Sequence, residues 1–168
     1  VDEWGQTTLL RVLARYGRTF FLDPTTTSGH VDPDVELALK HSEALLQHLN
    51  PAVVLGVIKL HYYLGPPTQQ HEVVRPLMRL LQGEPEIAAI ALENCALLAE
   101  QRPVRVQRSV PLSIDAFADT LSSRQDLFAE HLSTFFVRFS EPVEGRQARV
   151  RILVALANES NIRTVLSE

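Results

Sequence analysis

The 168-residue sequence has a single cysteine, no long apolar run and no excess of positive charge. Cys95 alone cannot form an intramolecular disulfide, which excludes a disulfide-stapled secreted domain and favours a reducing compartment. Apolar runs such as Val53–Ile58 and Ile152–Ala157 are far shorter than the roughly 18 residues that a membrane-spanning helix needs. Lys and Arg (16) are outnumbered by Asp and Glu (20), and this net charge of −4 argues against a general nucleic-acid binder. The chain is 45% hydrophobic, which is enough for an ordinary folded core.

Apolar residues recur at helical spacing along almost the whole chain. A first amphipathic helix is predicted over residues 3–17, and a second is expected to begin at Asp32-Pro33 and to continue to about residue 49, because Asp caps free N–H groups and Pro suits the first turn. Polar, non-periodic segments predict flexible loops at 22–31 and 103–124. The stripe of the first helix consists of Trp4, Leu9, Leu10, Leu13 and Tyr16.

Three acidic-or-Asn-then-Pro pairs each precede a strongly apolar helical segment. They are Asn50-Pro51, Glu84-Pro85 and Glu141-Pro142, and their prolines are separated by 34 and 57 positions. An insertion of some 20 residues after position 103 would reduce the longer spacing to about 37, a period typical of helical repeats. More amphipathic segments lie between the apolar ones, and this alternation predicts an all-α fold, an α-solenoid of paired antiparallel helices (HEAT/armadillo-like). A four-helix bundle is the alternative. Residues 1–168 are expected to be a single helical-repeat segment, excised from a longer superhelix.

No residue is nominated as catalytic, cofactor-binding or metal-binding. Cys95 lies in an apolar helix with no nearby histidine to form a thiolate, so core packing is expected. The six histidines (His30, His41, His48, His61, His71 and His131) include no pair three or four positions apart, the spacing that helix-borne metal ligands need. The sequence also lacks a nucleophile elbow and a Gly-rich phosphate loop.

Three polar features have a structural and a functional interpretation. Arg102, Arg105 and Arg108 form a local basic run that suits either a solvated loop or contact with anionic headgroups or an acidic partner. Asn158 begins a glycosylation sequon, which nothing else in the sequence supports. Asn94, inside an apolar helix, is predicted to hydrogen-bond to an adjacent repeat, and a peptide-binding amide is its functional alternative.

Five segments, in order, resemble the large beta subunits of the clathrin-associated adaptor complexes, the beta-adaptins. Ala14–Thr19, the Val137-Arg138 after the paired Phe, and Ala157–Glu159 are more similar to the beta subunit of adaptor-protein complex three. Two departures are a shorter loop after Phe21 and a longer stretch from Pro103 to Arg124. The five segments are Asp2–Gln6, Asn50–Val54, Leu80–Ile87, Phe135–Arg138 and Leu156–Ile162.

The resemblance implies a non-enzymatic scaffold segment in the N-terminal trunk of a heterotetrameric vesicle-coat adaptor. It implies medium, small and second large chains as partners, with an Arf-type GTPase and transmembrane cargo engaged through the full complex and no nucleic acid. It also implies a cytoplasmic protein, peripheral on Golgi and endosomal membranes and coated vesicles, that sorts cargo toward lysosome or vacuole. No site residue is transferred from the family. The alternatives are another HEAT/armadillo-type scaffold, such as a transport receptor, and an enzyme using Cys95.

Overall fold

A computed structural model describes residues 2–21, 31–100, 128–138 and 141–167, which form helices and connecting turns without a strand. The chain divides into two compact units, Val1–Gln82 and Gly83–Glu168. Within the described ranges no helix is both long enough and apolar enough to cross a membrane. Short 3₁₀ helices cover Ala44–Gln47, Pro67–Val73 and Ala129–Phe135. The α-helices are α1 (Glu3–Phe20), α2 (Pro33–Glu43), α3 (Pro51–Leu64), α4 (Val74–Leu80), α5 (Pro85–Glu100), α6 (Val143–Leu156) and α7 (Ile162–Ser167).

Helix starts follow the local signals in the sequence. Asp32 Oδ1 accepts a hydrogen bond from the backbone N–H of Asp34 (2.9 Å), and Asn50 Oδ1 accepts one from Ala52 (2.9 Å). Each of these caps precedes a proline in the first turn. The predicted starts at Asp32-Pro33 and Asn50-Pro51 are therefore confirmed, and α5 begins at Pro85 as expected.

Two helix ends and one helix type differ from the sequence prediction. The second helix leaves α geometry at Glu43 and continues as the Ala44–Gln47 3₁₀ turn rather than reaching residue 49. The Arg79 side chain donates to the carbonyl oxygens of Leu46 and His48 (2.9 and 3.3 Å), which supplies partners for carbonyls at the end of that turn. The first helix runs on to Phe20, and the segment before Glu141-Pro142 forms a 3₁₀ helix. The predicted loops at 22–31 and 103–124 lie outside the described residues, except Val31.

In the first unit, α1 and α3 pack in parallel. The Asn50 side-chain amide donates to the Glu3 carboxylate (2.6 Å), and Leu10 packs over Gly56. Gly17 lies against the buried Leu64 side chain. Within each of the three pairs, the two residues are 46 or 47 positions apart in the sequence. The contacts therefore run in the same direction along both helices. The other side of α3 meets α2 and the flanking 3₁₀ helices, and α3 therefore forms the buried centre of this unit.

The predicted stripe of the first helix is only partly buried. Leu10 is in the core together with Ala14 and Gly17, whereas Trp4, Leu9, Leu13 and Tyr16 are exposed. Leu9 and Leu10 are adjacent and therefore point about 100° apart around a helix of 3.6 residues per turn. The apolar residues of α1 thus divide between two faces, of which one packs on α3.

In the second unit, α5 packs against α6, and the Ala129–Phe135 3₁₀ helix also contacts α6. Leu92 and Cys95 of α5 are buried, as are Ile152 and Leu156 of α6. Phe128 and Phe135 meet edge to face with ring centroids 5.6 Å apart. This unit therefore has its own apolar core.

Candidate functional site

One exposed apolar surface covers a side of α1, and we call it the α1 face. Its side chains are between 44% and 69% exposed. The Tyr16 ring stacks near Phe20 at a centroid distance of 4.6 Å. A contiguous exposed apolar patch on a helix is typical of a protein interaction site. The α1 face consists of Leu9, Val12, Leu13, Tyr16 and Phe20.

Basic side chains flank this surface. Arg11, Arg15 and Arg18 are exposed, and no acidic residue occurs between Gly5 and Phe20. The Arg18 guanidinium lies 4.1 Å from the centroid of the Tyr63 ring on α3, a cation–π contact within the first unit. The α1 face and its arginines together form the candidate functional site, a helix surface suited to binding rather than to chemistry.

A buried serine–histidine pair joins α2 to α3, and sequence reasoning missed it. Ser42 Oγ lies 3.0 Å from His61 Nε2, and the same hydroxyl donates to the Leu39 carbonyl oxygen (3.0 Å). Burial lowers the pKa of His61, and the charges of Glu72 and Glu43 oppose that shift. Because the hydroxyl hydrogen goes to Leu39 and both side chains are buried, the pair is a polar core contact, not a nucleophile.

Cys95 is fully buried on α5. Burial raises the pKa of its thiol to about 12, although the nearby Arg149 charge acts in the opposite direction. A thiol with so high a pKa carries almost no thiolate at neutral pH. The predicted core position of Cys95 is confirmed.

The histidines are spread through the described ranges rather than gathered. His41 and His71 are exposed, His131 is half-buried and His61 is in the core. His48 Nδ1 accepts a hydrogen bond from the Asn50 backbone N–H (3.0 Å). His30 lies outside the described residues. Where side chains are described, no group of three or more His, Cys, Asp or Glu is arranged to hold a metal ion.

The asparagines serve local backbone geometry. Asn94 donates to the Ile90 carbonyl oxygen of its own helix (2.7 Å), so the predicted bond to an adjacent repeat is wrong. Inside a helix, a short polar side chain such as that of Asn can reach the carbonyl oxygen four positions earlier, and this local partner satisfies the Asn94 amide without a distant one. Asn158 Oδ1 accepts from the backbone N–H groups of Ser160 and Asn161 (3.1 and 2.9 Å), which caps α7. The basic run Arg102, Arg105 and Arg108 lies outside the described residues.

Comparison with known protein families identifies the family to which this helical chain belongs. The sequence model of the Adaptin N terminal region matches residues 1–168. The chain belongs to the adaptin family. The N-terminal region of adaptins is a helical, HEAT-like solenoid, so the predicted all-α solenoid class and the beta-adaptin resemblance are confirmed.

Among individual adaptins, the chain is similar to AP-3 beta subunits. It is 28% identical to AP-3 complex subunit beta-1 of Mus musculus, over all of this chain and 16% of that protein. It is 24% identical to AP-3 complex subunit beta of Schizosaccharomyces pombe, over all of this chain and 19% of that protein. AP-1 complex subunit beta of Dictyostelium discoideum is 26% identical over 99% of this chain and 15% of its own length. The chain therefore spans less than a fifth of the curated relatives it matches.

Proposed function

We propose that residues 1–168 are one helical-repeat segment in the trunk of the beta subunit of a vesicle-coat adaptor complex related to AP-3. The observation that carries the proposal is the similarity to AP-3 beta subunits of mammals and fission yeast along the entire chain. The expected role is scaffolding. Helix-on-helix cores and exposed helix faces would supply contact area for other subunits.

The expected partners are a medium chain, a small chain and a second large chain. An Arf-type GTPase and transmembrane cargo would be engaged through the full complex. The expected location is the cytoplasmic side of Golgi and endosomal membranes, from which cargo moves toward lysosome or vacuole. The names of the relatives, which are subunits of adaptor complexes, support other adaptor subunits as partners. The GTPase, the cargo and the membranes belong to the proposal alone.

Affinity purification of the full-length parent protein tests the proposal. The expected result is co-purification of three further adaptor subunits in equal amounts. Recovery of a transport cargo or a kinase without adaptor subunits would replace the proposal with another helical-repeat scaffold. Recovery of no stable partner would also overturn it.

A matched pair of variants links the partner result to this segment. Arg149 is buried in the second unit, whereas Arg151, two positions along α6, is 39% exposed. Arg149→Met in the full-length protein should reduce recovery of the other subunits, because the fold of the unit depends on that side chain. Arg151→Met should leave recovery unchanged. Equal recovery with both variants would show that adaptor assembly does not require this segment.

A further inference from the structure

The side of α1 next to its contact with α3 carries a row of arginines. Leu10, Ala14 and Gly17 are the buried residues of α1, and each of them is followed by an arginine. These arginines are three or four positions apart, so their side chains lie on one side of the helix. All of them are exposed, and they are Arg11, Arg15 and Arg18.

A lysine of α3 lies on the same side of the helix pair. The Arg18 guanidinium lies 4.1 Å from the centroid of the Tyr63 ring, so the arginine side of α1 adjoins the Tyr63 side of α3. Lys59 is one turn before Tyr63 on that side and is exposed. Because α1 and α3 run parallel, Lys59 is level with the arginine row. We call this surface the basic face, and it consists of Arg11, Arg15, Arg18 and Lys59.

The two helices bring no negative charge to the basic face. Glu3 is the only acidic residue of α1, and its carboxylate accepts a hydrogen bond from Asn50 where the helices begin. The α3 sequence has no acidic residue. Among the described residues, no carboxylate forms an ion pair with Arg11, Arg15 or Lys59. Like charges three or four positions apart destabilise a helix, so an anion bound to the row would relieve this repulsion.

We propose that the basic face binds an acidic peptide segment of another protein. Charge complementarity carries the proposal, because a cluster of exposed cations attracts and orients an anionic partner. Stacking on Tyr63 holds the Arg18 guanidinium in place, and an arginine held in this way can still donate its N–H groups to a carboxylate. The proposal does not depend on the adaptor function, since it uses only the charges and contacts of α1 and α3.

The shape of the basic face favours an extended peptide. Arg11 and Arg18 are seven positions apart, which is about 10 Å along an α-helix. Alternate side chains of an extended chain are about 7 Å apart, so acidic side chains at alternate positions match the row. The whole chain has a net charge of −4, which opposes general adsorption to an anionic membrane and favours a ligand that contacts this face alone.

Fluorescence anisotropy with the full-length protein tests the proposal. The probe is a fluorescein-labelled peptide of alternating glutamate and serine, and the control peptide has glutamine in place of glutamate. We expect the glutamate peptide to bind about tenfold more tightly at low salt, and this advantage to shrink at high salt, because salt screens exposed charges. Equal affinity for the two peptides would overturn the proposal.

Two lysines provide a matched pair of variants. Lys59 belongs to the basic face, whereas Lys40 is also exposed but lies on α2, a helix that contains Asp34 and Glu36. Lys59→Gln should weaken binding of the glutamate peptide about threefold, the effect expected of one exposed charge pair. Lys40→Gln should leave binding unchanged. Equal effects of the two substitutions would refute the assignment to the basic face.

Charge reversal distinguishes direct contact from a loss of fold. The double variant Arg15→Glu with Lys59→Glu should lose the glutamate peptide and gain affinity for a peptide of alternating lysine and serine. A damaged fold would lose the first peptide without gaining the second. Loss without gain would therefore count against a direct charge contact.

Vesicle sedimentation tests a membrane as the occupant. The vesicles contain phosphatidylserine and phosphatidylcholine in equal amounts. We expect the double variant and the unaltered full-length protein to sediment with them to the same extent. Sedimentation that is lost in the double variant would assign the basic face to an anionic membrane and overturn the peptide proposal.

Discussion

The Arg149 cluster allows a quantitative test of what holds the second unit together. Arg149 Nε donates to Glu141 Oε2 (2.5 Å) and Nη2 donates to Oε1 (2.6 Å), so the guanidinium and the carboxylate meet side by side. The remaining Nη1 donates to the Thr134 carbonyl oxygen. The Arg149 side chain is 3% exposed and that of Glu141 is 22% exposed. These bonds connect α6 to Thr134 and Glu141, which precede it in the sequence.

Arg149→Met removes these bonds while keeping an apolar stem of similar length. Breaking a buried pair costs about 3–5 kcal/mol, and the partial exposure of Glu141 places the expected loss in the free energy of unfolding near the lower end, about 3 kcal/mol. Arg149→Lys keeps the charge and loses the side-by-side geometry, so about half that loss is expected. The control is Arg151→Met. Its pair with Glu93 is 39% and 50% exposed, and a loss below about 1 kcal/mol is expected.

Urea unfolding followed by circular dichroism measures these losses, and pH gives a second check. The hydrogen bond from Arg149 is the main cause that lowers the pKa of Glu141. The carboxylate therefore stabilises the fold above its ordinary pKa of 4.5, and this contribution is lost as pH falls through the lowered value. The difference between Arg149→Met and the unaltered chain should shrink below about pH 4.5. A loss at pH 7 no larger than that of Arg151→Met would refute the reasoning.

Other predictions concern the two cores. Leu92→Ala should lower the free energy of unfolding by about 2–5 kcal/mol in urea titrations, against less than about 1 kcal/mol for the exposed Ile90→Ala; similar losses would contradict the assigned core. Cys95 should react with a thiol reagent only on unfolding, since its pKa is raised to about 12, and rapid native labelling would contradict its burial. Burial lowers the pKa of His61 below its ordinary value of 6.5, so the free energy of unfolding should fall as pH drops below about 6.5, and should fall less in His61→Gln. Identical pH profiles of the two proteins would contradict the lowered pKa.

Helix starts could be predicted from the sequence because their chemistry is local. Asp32 and Asn50 bind backbone N–H groups two positions later, and the prolines after them are compatible only with the first turn of a helix. The buried side of α1 could not be predicted in the same way. Leu9 and Leu10 are equally apolar, and only the neighbour packed against Leu10 decides which of them is buried.

The polar core pairs were beyond sequence reasoning for a different reason. Ser42 and His61 are 19 positions apart, and Arg149 reaches both Glu141 and Thr134. No motif has these spacings, because tertiary packing brings the groups together. The sequence offers only a weaker indication of the Ser42–His61 pair. A serine on the inner side of α2 and a histidine within the apolar α3 each need a hydrogen-bond partner once they are buried.

The fit between α1 and α3 depends on residues that have no side chain. A Cβ atom on Gly17 would come within 2.5 Å of the Leu64 methyl carbons, and one on Gly56 would come within 3.2 Å of Leu10. Both glycines therefore set how closely two successive repeat helices approach. Because each repeat of a solenoid contacts only its neighbours, a change in one spacing is carried into the position of every later surface. The distance between α1 and α3 is therefore fixed inside their interface, by two residues that have no side chain.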